Sequence, residues 1–425
     1  MRVLVVGSGA REHALLRRLA GEPGVSELLA APGNPGMAEH SRILDIGVAD
    51  VNGLAELARR EHVDFTIVGP ELPLSLGLVD RFEQDGLAVF GPTAQAARLE
   101  SSKAFAKDFM ARHQVPTARY QTFTHADAAL ALVRSGSLGF PLVLKADGLA
   151  AGKGVVIAAD RGEAEAAVVA VMEERRFGDA GGTLVLEECL TGPEVSFFVV
   201  SDGTRAMSIG TAQDHKRIFD DDHGPNTGGM GAFAPSPLVD DVMHERVMRE
   251  IVEPVVRGMA AEGNAFRGFL YVGLMLTPTG PKVIEFNVRL GDPEAQVILP
   301  RVGEPLLPVL LAAARGALRQ TTCQFAADRL AGVVLASRGY PESSESGQPI
   351  RGLAAAASLA DVSVFHAGTA RRGDDIVTAG GRVLTVVGRG ADFPSAIARA
   401  YAGVDEIHFD GMQYRHDIGR KALSP

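Results

Sequence analysis

Over residues 1–101 short β-branched or apolar runs (3–6, 27–31, 65–68, 88–90) alternate with stretches of helical spacing (12–20, 53–60, 74–85). Such alternation predicts a parallel sheet with helices on both faces. From 102 onward the rhythm changes. A helix over 101–118 carries Lys103 and Lys107, and strand-like runs at 117–120, 142–145, 155–158 and 184–188 then surround helical stretches at 126–134 and 163–174. These predict a small α+β lobe over 119–190. Apolar runs at 195–200 and 209–213, an amphipathic helix at 240–262 and paired strands at 268–276 and 282–287 complete a second domain. Residues 326–425 carry their own strands (331–337, 383–387) and a helix (393–402), which predicts a third domain folded against the others. The expected fold class is α/β and α+β, divided 1–101, 102–325 and 326–425.

Composition narrows the function. A chain of 425 residues with 46% apolar and 22% charged residues is an ordinary globular protein of several cores. A net charge of -10 opposes a nucleic-acid partner, which requires a basic face. Cys189 and Cys323 stand far apart without metal-ligand spacing, so a reducing, cytoplasmic setting is expected. The opening run MRVLVVGSG is too short for a signal peptide, and 306–314, broken by Pro308, is too short for a membrane span.

Candidate chemistry centres on KADGLAAGKGV, residues 145–155. Lys145 and Lys153 with Gly148, Gly152 and Gly154 lie between two strand-like runs. Glycine lets backbone N–H groups turn toward an anion and lysine adds a point charge, so the expected element is a phosphate-holding loop. It is not a Walker loop, because Gly154 follows the lysine where Ser or Thr is needed. The plainer alternative is a glycine-rich turn with solvated lysines. The first turn, GSGARE, is no dinucleotide fingerprint, since Glu12 replaces the third glycine; Gly9 still opens a helix N-terminus suited to phosphate. The loops 32–36 (PGNPG) and 69–73 (GPELP) fall at strand ends, where open sheets bind ligands or simply turn. Further on, the acidic crossover Glu187, Glu188 and Glu194 suits an adenosine, although solvated strand-end acids look the same. The polar stretch 214–237 is expected to be a long functional loop.

The 282–287 strand leads into IEFNVRLGDPEAQ. Side chains two apart share a face, so Glu285, Asn287 and Arg289 point together and Ile284, Phe286 and Val288 point into the core. A carboxylate beside a carboxamide suits magnesium or manganese shared with phosphates, and Arg289 suits a transferring phosphoryl group. A polar-faced edge strand is the alternative. Arg382, after two glycines, is either an anion contact or a solvated arginine.

Together GSGAREHAL, PGNPG, KADGLAAGKGV, QDHKR with GPNTGGMGA, and EFN.R.GDPE resemble, in order and spacing, the ATP-grasp enzymes and among them the phosphoribosylamine-glycine ligases, or glycinamide ribonucleotide synthetases. The resemblance implies an ATP-grasp fold preceded by a parallel-sheet domain and followed by a small C-terminal α/β domain. It implies ligation of glycine to 5-phosphoribosylamine through glycyl phosphate, with ATP and Mg2+ or Mn2+, in de novo purine (IMP) biosynthesis; the expected protein is cytoplasmic, a monomer or a weak dimer. By carry-over, Lys103 and Lys145 hold ATP phosphates under the loop of Gly148, Gly152, Lys153 and Gly154. Glu187, Glu188 and Leu190 bind adenine, Glu194 the ribose, and Glu285 and Asn287 the metal. Arg289 stabilises the acyl phosphate, with Asp214 and Asp292 around the amines. Glu71 meets the ribose of the second substrate, and Gly9, Asn34, Gly36, Lys216 and Arg382 are its further contacts. The chain departs from the family pattern at Ala10 and Asp221, where glycine is usual, and its strand YVGLML lacks the carboxylate many ATP-grasp enzymes carry. Rival readings are another ATP-grasp ligase or carboxylase, which the 214–231 motifs disfavour, a nucleotide-binding module without catalysis, and a dehydrogenase.

Overall fold

The computed structural model describes residues 1–148 and 154–423. Arg42–Ile43, Glu27–Pro32, Arg2–Gly7, Phe65–Val68 and Val89–Phe90 lie side by side in that order as one parallel sheet. Val3, Leu4, Val5 and Val6 are completely buried, as a strand covered on both faces must be. The chain leaves the central strand to one side and later returns to the other, so the sheet has its switch point between Arg2–Gly7 and Phe65–Val68. The turns after both strands open there. The helix expected over 74–85 is two pieces, Glu71–Ser75 and Leu78–Gln84, separated at Gly77 with φ 83°.

The lobe is a four-stranded antiparallel sheet ordered Tyr120–Phe123, Leu184–Glu188, Leu142–Ala146, Val155–Ala158. Ala129, Leu130, Val133, Leu142, Leu144, Val168 and Leu186 give it a core of its own. By contrast, the two faces of the parallel sheet share cores with the body that follows: Leu4 and Val6 cluster with Phe197, Val272 and Phe286, and Val3 and Val5 with Phe198, Val200 and Ile209.

That body is an eight-stranded sheet ordered Gly280–Asn287, Arg267–Thr277, Glu194–Asp202, Ala206–Asp214, Gly231–Ala234, Arg329–Ala336, Arg382–Gly390, Val362–His366. The C-terminal strands are therefore hydrogen-bonded into the same sheet, not merely folded against it as expected. Gly231–Ala234 is the splice, pairing Ala232 and Phe233 with Asp214 and Gln213 on one side and with Gly332 and Ala331 on the other. Its small residues allow this: a Cβ on Gly231 would stand 2.6 Å from the Gly332 carbonyl oxygen. The expected 214–237 loop is likewise largely ordered, with Arg217–Phe219 and His223–Asn226 forming a hairpin before the splice. The helix expected over 240–262 runs as Asp241–Val247 and Glu253–Ala261 joined by a widened π turn, Met248–Val252. Pro254 has no N–H for the α-helical ladder at that point. Among the described residues no helix is long and apolar enough to cross a membrane.

Candidate active site

The Gly280–Asn287 strand carries Glu285 and Asn287, and its register carries a bulge. Leu274 faces Val283 and Gly273 faces Glu285, leaving Ile284 unpaired. Val283, Phe286 and Val288 are the buried positions, so the expected inward Ile284 is corrected: alternation holds from Glu285 to Arg289 and breaks before it. The extra residue has a consequence. The Ile284 carbonyl oxygen accepts a hydrogen bond from Lys145 Nζ at 3.0 Å, which brings the lobe's lysine beside Glu285.

Lys145 and Lys107 are both buried, and one carboxylate lies between them. Glu187 Oε1 is 3.1 Å from Lys145 Nζ and Glu187 Oε2 is 2.8 Å from Lys107 Nζ, which also donates to Thr117 Oγ1 at 2.7 Å. Burial pushes Lys107 down to about 8 even with Glu187 beside it. Glu188 is held outside by Arg119 Nε at 2.6 Å and Lys282 Nζ at 3.6 Å. Leu190 is half-buried just beyond.

Lys103 opens the helix Lys103–Arg112 and donates to the Gly148 carbonyl at 2.8 Å. Asp147 ties the glycine loop to the same helix, accepting from Ala104 N and Ser102 Oγ, each at 3.1 Å. Burial lowers the Lys103 pKa, and the charge of nearby Glu285 opposes the shift. Gly154 closes the neck of the loop by accepting from Ala146 N at 2.9 Å. Gly152 and Lys153 lie outside the described residues.

Arg289 is half-buried against Glu100 at 3.0 Å, Glu71 at 3.3 Å and Asn287 Oδ1 at 3.0 Å. Its burial disfavours the charge, but Glu100 and Glu71 more than compensate and its pKa rises. Glu71 is also 3.8 Å from Arg11, and despite its own burial the two guanidinium groups hold it below the usual carboxylate range. Glu71 thus joins the switch point of the parallel sheet to the strand that carries Glu285.

The turn after Arg2–Gly7 is filled by Glu12, which accepts from Gly9 N at 2.7 Å. A Cβ on Gly7 or Gly69 would come within 2.4 or 2.3 Å of the Glu12 side chain. A carboxylate therefore occupies the space that a dinucleotide pyrophosphate needs. Beyond it Asp292 accepts from Gln296 Nε2 at 2.7 Å and lies 3.3 Å from Arg382 Nη2; a Cβ on Gly9 would be 3.6 Å from its carboxylate. Arg382 also donates to the carbonyls of Gly228 at 2.7 Å and Asp292 at 2.5 Å. The amide of Asn34 is committed to holding loops together, donating to Ser8 O at 2.8 Å and His366 O at 2.9 Å. Gly36 packs on two buried histidines, where a Cβ would meet His13 at 2.5 Å and His366 at 2.6 Å.

A fourth group gathers at the end of Ala206–Asp214. Lys216 is 3.0 Å from Asp214 and 2.8 Å from Glu194. Desolvation would lower its pKa, but Asp214, Tyr271, Glu194 and Glu285 raise it well above the usual value. Glu294 is buried next to this group and accepts from Ser196 Oγ at 3.1 Å.

Sequence reasoning missed Glu100, Thr117, Ser196, Tyr271 and Glu294 as site residues, and left Lys107 without a role. The one available signal was spacing: Lys107 lies one helical turn after Lys103. Of the two departures, Asp221 is explained, since it sits at φ 54°, ψ 30°, a conformation that favours glycine. Ala10 is buried at the start of Ala10–Leu19 and disturbs nothing visible. Among the described residues no three His, Cys, Asp or Glu side chains cluster as a self-sufficient metal site. Glu285 and Asn287 nonetheless fit a hard cation that takes its other ligands from phosphates and water. Gly273, opposite Glu285, leaves no carboxylate on the neighbouring strand there.

Residues 1–100 match the N domain of phosphoribosylglycinamide synthetase, 101–295 its ATP-grasp domain and 330–421 its C domain. Proteins named phosphoribosylamine-glycine ligase from Xylella fastidiosa (strain Temecula1) and Escherichia coli O6:H1 are each 51% identical over 427 residues, covering 100% of this chain and 98% and 99% of theirs. The crystal structure of the Thermotoga maritima phosphoribosylamine-glycine ligase superposes with a TM-score of 0.86 at 33% identity, over 98% of this chain and 100% of that one. Biotin carboxylase from Campylobacter jejuni shares the fold, with a TM-score of 0.76 at 18% identity over 97% of this chain and 92% of its own. With all three domains matched in order and half of all positions identical to these ligases, the chain belongs to the phosphoribosylglycinamide synthetase family of ATP-grasp enzymes.

Proposed function

We propose that this chain joins glycine to 5-phosphoribosylamine with cleavage of ATP to ADP and phosphate, forming glycinamide ribonucleotide in purine biosynthesis. The observation that carries the reading is convergence. Lys145 from the lobe bonds the carbonyl next to Glu285, Lys103 faces that carboxylate, and Arg289 follows on the same strand.

A glycine carboxylate is a poor acyl donor until its oxygen becomes part of a better leaving group. Phosphoryl transfer asks the protein mainly for positioning and charge neutralisation. Lys103 and Lys145 supply positive charge over the triphosphate, with Gly148, Gly152, Lys153 and Gly154 as the covering loop. Glu187 and Glu188 are engaged with protein cations, so the adenine meets backbone groups as far as Leu190, and Glu194 takes the ribose. Glu285 and Asn287 hold Mg2+ or Mn2+, which when bound neutralises phosphate charge. Arg289, fixed by Glu71 and Glu100, faces the acyl phosphate. Asp214 and Asp292 receive the amines, and Gly9, Asn34, Gly36, Glu71, Lys216 and Arg382 line or brace the phosphoribosylamine side. The lobe 119–190, with its separate core, closes over the intermediate to exclude water. Domain limits at 1–101, 102–325 and 326–425, a monomeric state and a cytoplasmic setting complete the reading; the free thiols of Cys189 and Cys323 suit the last.

The test is ADP release by the purified chain with Mg2+, glycine and phosphoribosylamine generated in situ. Release that needs both substrates is expected. Release that ignores glycine, or none at all, overturns the proposal.

A further inference from the structure

Glu294 has no part in the scheme above, yet it is a buried carboxyl within electrostatic reach of Asp214, Lys216 and Arg289, to which that scheme gives roles. Its Oε1 accepts from Ser196 Oγ at 3.1 Å, and Ser196 Oγ is 3.4 Å from Tyr271 Oη. Its Oε2 folds back on the turn preceding it, where a Cβ on Gly291 would stand 2.4 Å away. That turn also presents Asp292 and follows Arg289. Asp214 and Lys216 face Glu294 from the end of one strand, Arg289 from beyond another and Tyr271 from a third.

The Tyr271–Ser196–Glu294 chain can run in either direction. With Glu294 ionised, Tyr271 donates to Ser196 and Ser196 to Glu294. With Glu294 protonated, the carboxyl donates to Ser196 and Ser196 to Tyr271. Hydroxyl hydrogens rotate freely, so both protonation states are satisfied without moving heavy atoms. A buried carboxylate meant only as a brace has no use for this reversibility.

Resting on the ligase reading, we propose that Glu294 is the proton acceptor of the acyl-transfer step. As the phosphoribosylamine nitrogen attacks the carbonyl carbon of glycyl phosphate, a C–N bond forms and the C–O bond to phosphate breaks with its electron pair leaving on phosphate. The excess proton on nitrogen passes to Glu294 and from there to the departing phosphate, so charge and atoms balance. Burial, and then the neighbouring Asp214, push this carboxyl up to about 7, which suits a base that must accept and release a proton near neutrality.

Glu294→Gln keeps the shape and the oxygen facing Ser196 but cannot take a proton. The experiment measures glycine-dependent ADP release with two acceptors, phosphoribosylamine and hydroxylamine. Hydroxylamine is a strong nucleophile that attacks acyl phosphates with little help from a base. The expected result is a loss of about 100-fold or more with phosphoribosylamine, the usual worth of a general base, against roughly threefold or less with hydroxylamine. In the unmodified enzyme the phosphoribosylamine rate rises with pH through about 7, and in Glu294→Gln that rise is gone. Equal losses with both acceptors, or no loss with either, overturn the proposal. If Glu294→Gln does not fold, Ser196→Ala decides: losing the donor to the ionised form moves the rise to higher pH, and an unmoved profile refutes the assignment. If the unmodified enzyme turns over with phosphoribosylamine but not with hydroxylamine, the pH profiles decide, and a rise that survives in Glu294→Gln overturns the proposal; failure with both acceptors would instead sink the ligase reading itself.

Discussion

Removing the carboxylate of Glu187 should reveal how the two buried lysines are tolerated. Its oxygens are 2.8 and 3.1 Å from Lys107 and Lys145 Nζ, and neither ammonium has another carboxylate within bonding distance among the described residues. At an effective dielectric of about 20, each contact is worth roughly 5 kcal/mol before desolvation is subtracted. Breaking a buried pair by deleting one partner typically leaves a net loss of about 3–5 kcal/mol. With about 2.1 cal/mol/K of unfolding entropy per residue over 425 residues, Glu187→Gln is therefore expected to lower the thermal midpoint by roughly 3–6 °C near pH 7. The pH dependence has a definite sign. Lys107, at about 8 in the folded chain and about 10.4 when unfolded, binds fewer protons folded than unfolded over that window, so stability rises with pH through it. The variant's deficit should accordingly shrink by about pH 10, when Lys107 no longer carries uncompensated charge. ATP with Mg2+ should raise the variant's midpoint more than that of the unmodified chain, because triphosphate supplies the missing anion. The assay is differential scanning fluorimetry across pH, with and without nucleotide. A midpoint within about 1 °C of the unmodified chain near pH 7 would refute the account.

Three further predictions follow from the same geometry. Glu285→Gln or Asn287→Ala should abolish ADP release with little change in thermal midpoint, since both end an otherwise apolar strand; a near-normal rate in either would remove the metal assignment. Arg382→Ala strips hydrogen bonds from the Gly228 and Asp292 carbonyls and a charge partner from Asp292, and should cost about 2–3 kcal/mol and raise KM for phosphoribosylamine more than for ATP, measured by steady-state kinetics. Limited proteolysis should show the lobe 119–190 protected by ATP with Mg2+; equal cleavage with and without nucleotide would count against closure.

What was legible in the sequence has a local cause. Uninterrupted apolar runs such as 3–6 specify strands covered on both faces, and Glu12 in place of glycine removes the dinucleotide reading in the chain and in space alike. Alternation from Glu285 to Arg289 was legible for the same reason: a pleated strand sorts neighbours by face. The bulge at Ile284 was not, since register belongs to a pair of strands, and the partner's Gly273 and Leu274 settle it. The splice through Gly231–Ala234 was hidden too. A strand of glycine and alanine carries no periodic signal, and its place depends on strands from either side of it in the chain, near residues 213 and 331. The charge pairs went unseen for a further reason. Glu187 answers lysines 80 and 42 positions before it, and Arg289 answers Glu71 and Glu100 from across the molecule. Residue types and short-range spacing thus fixed which groups can bind phosphate, metal and acyl chemistry. Which of them are paired, buried and shifted in proton affinity was decided only by tertiary structure, because desolvation and Coulomb energy depend on distance in space rather than along the chain.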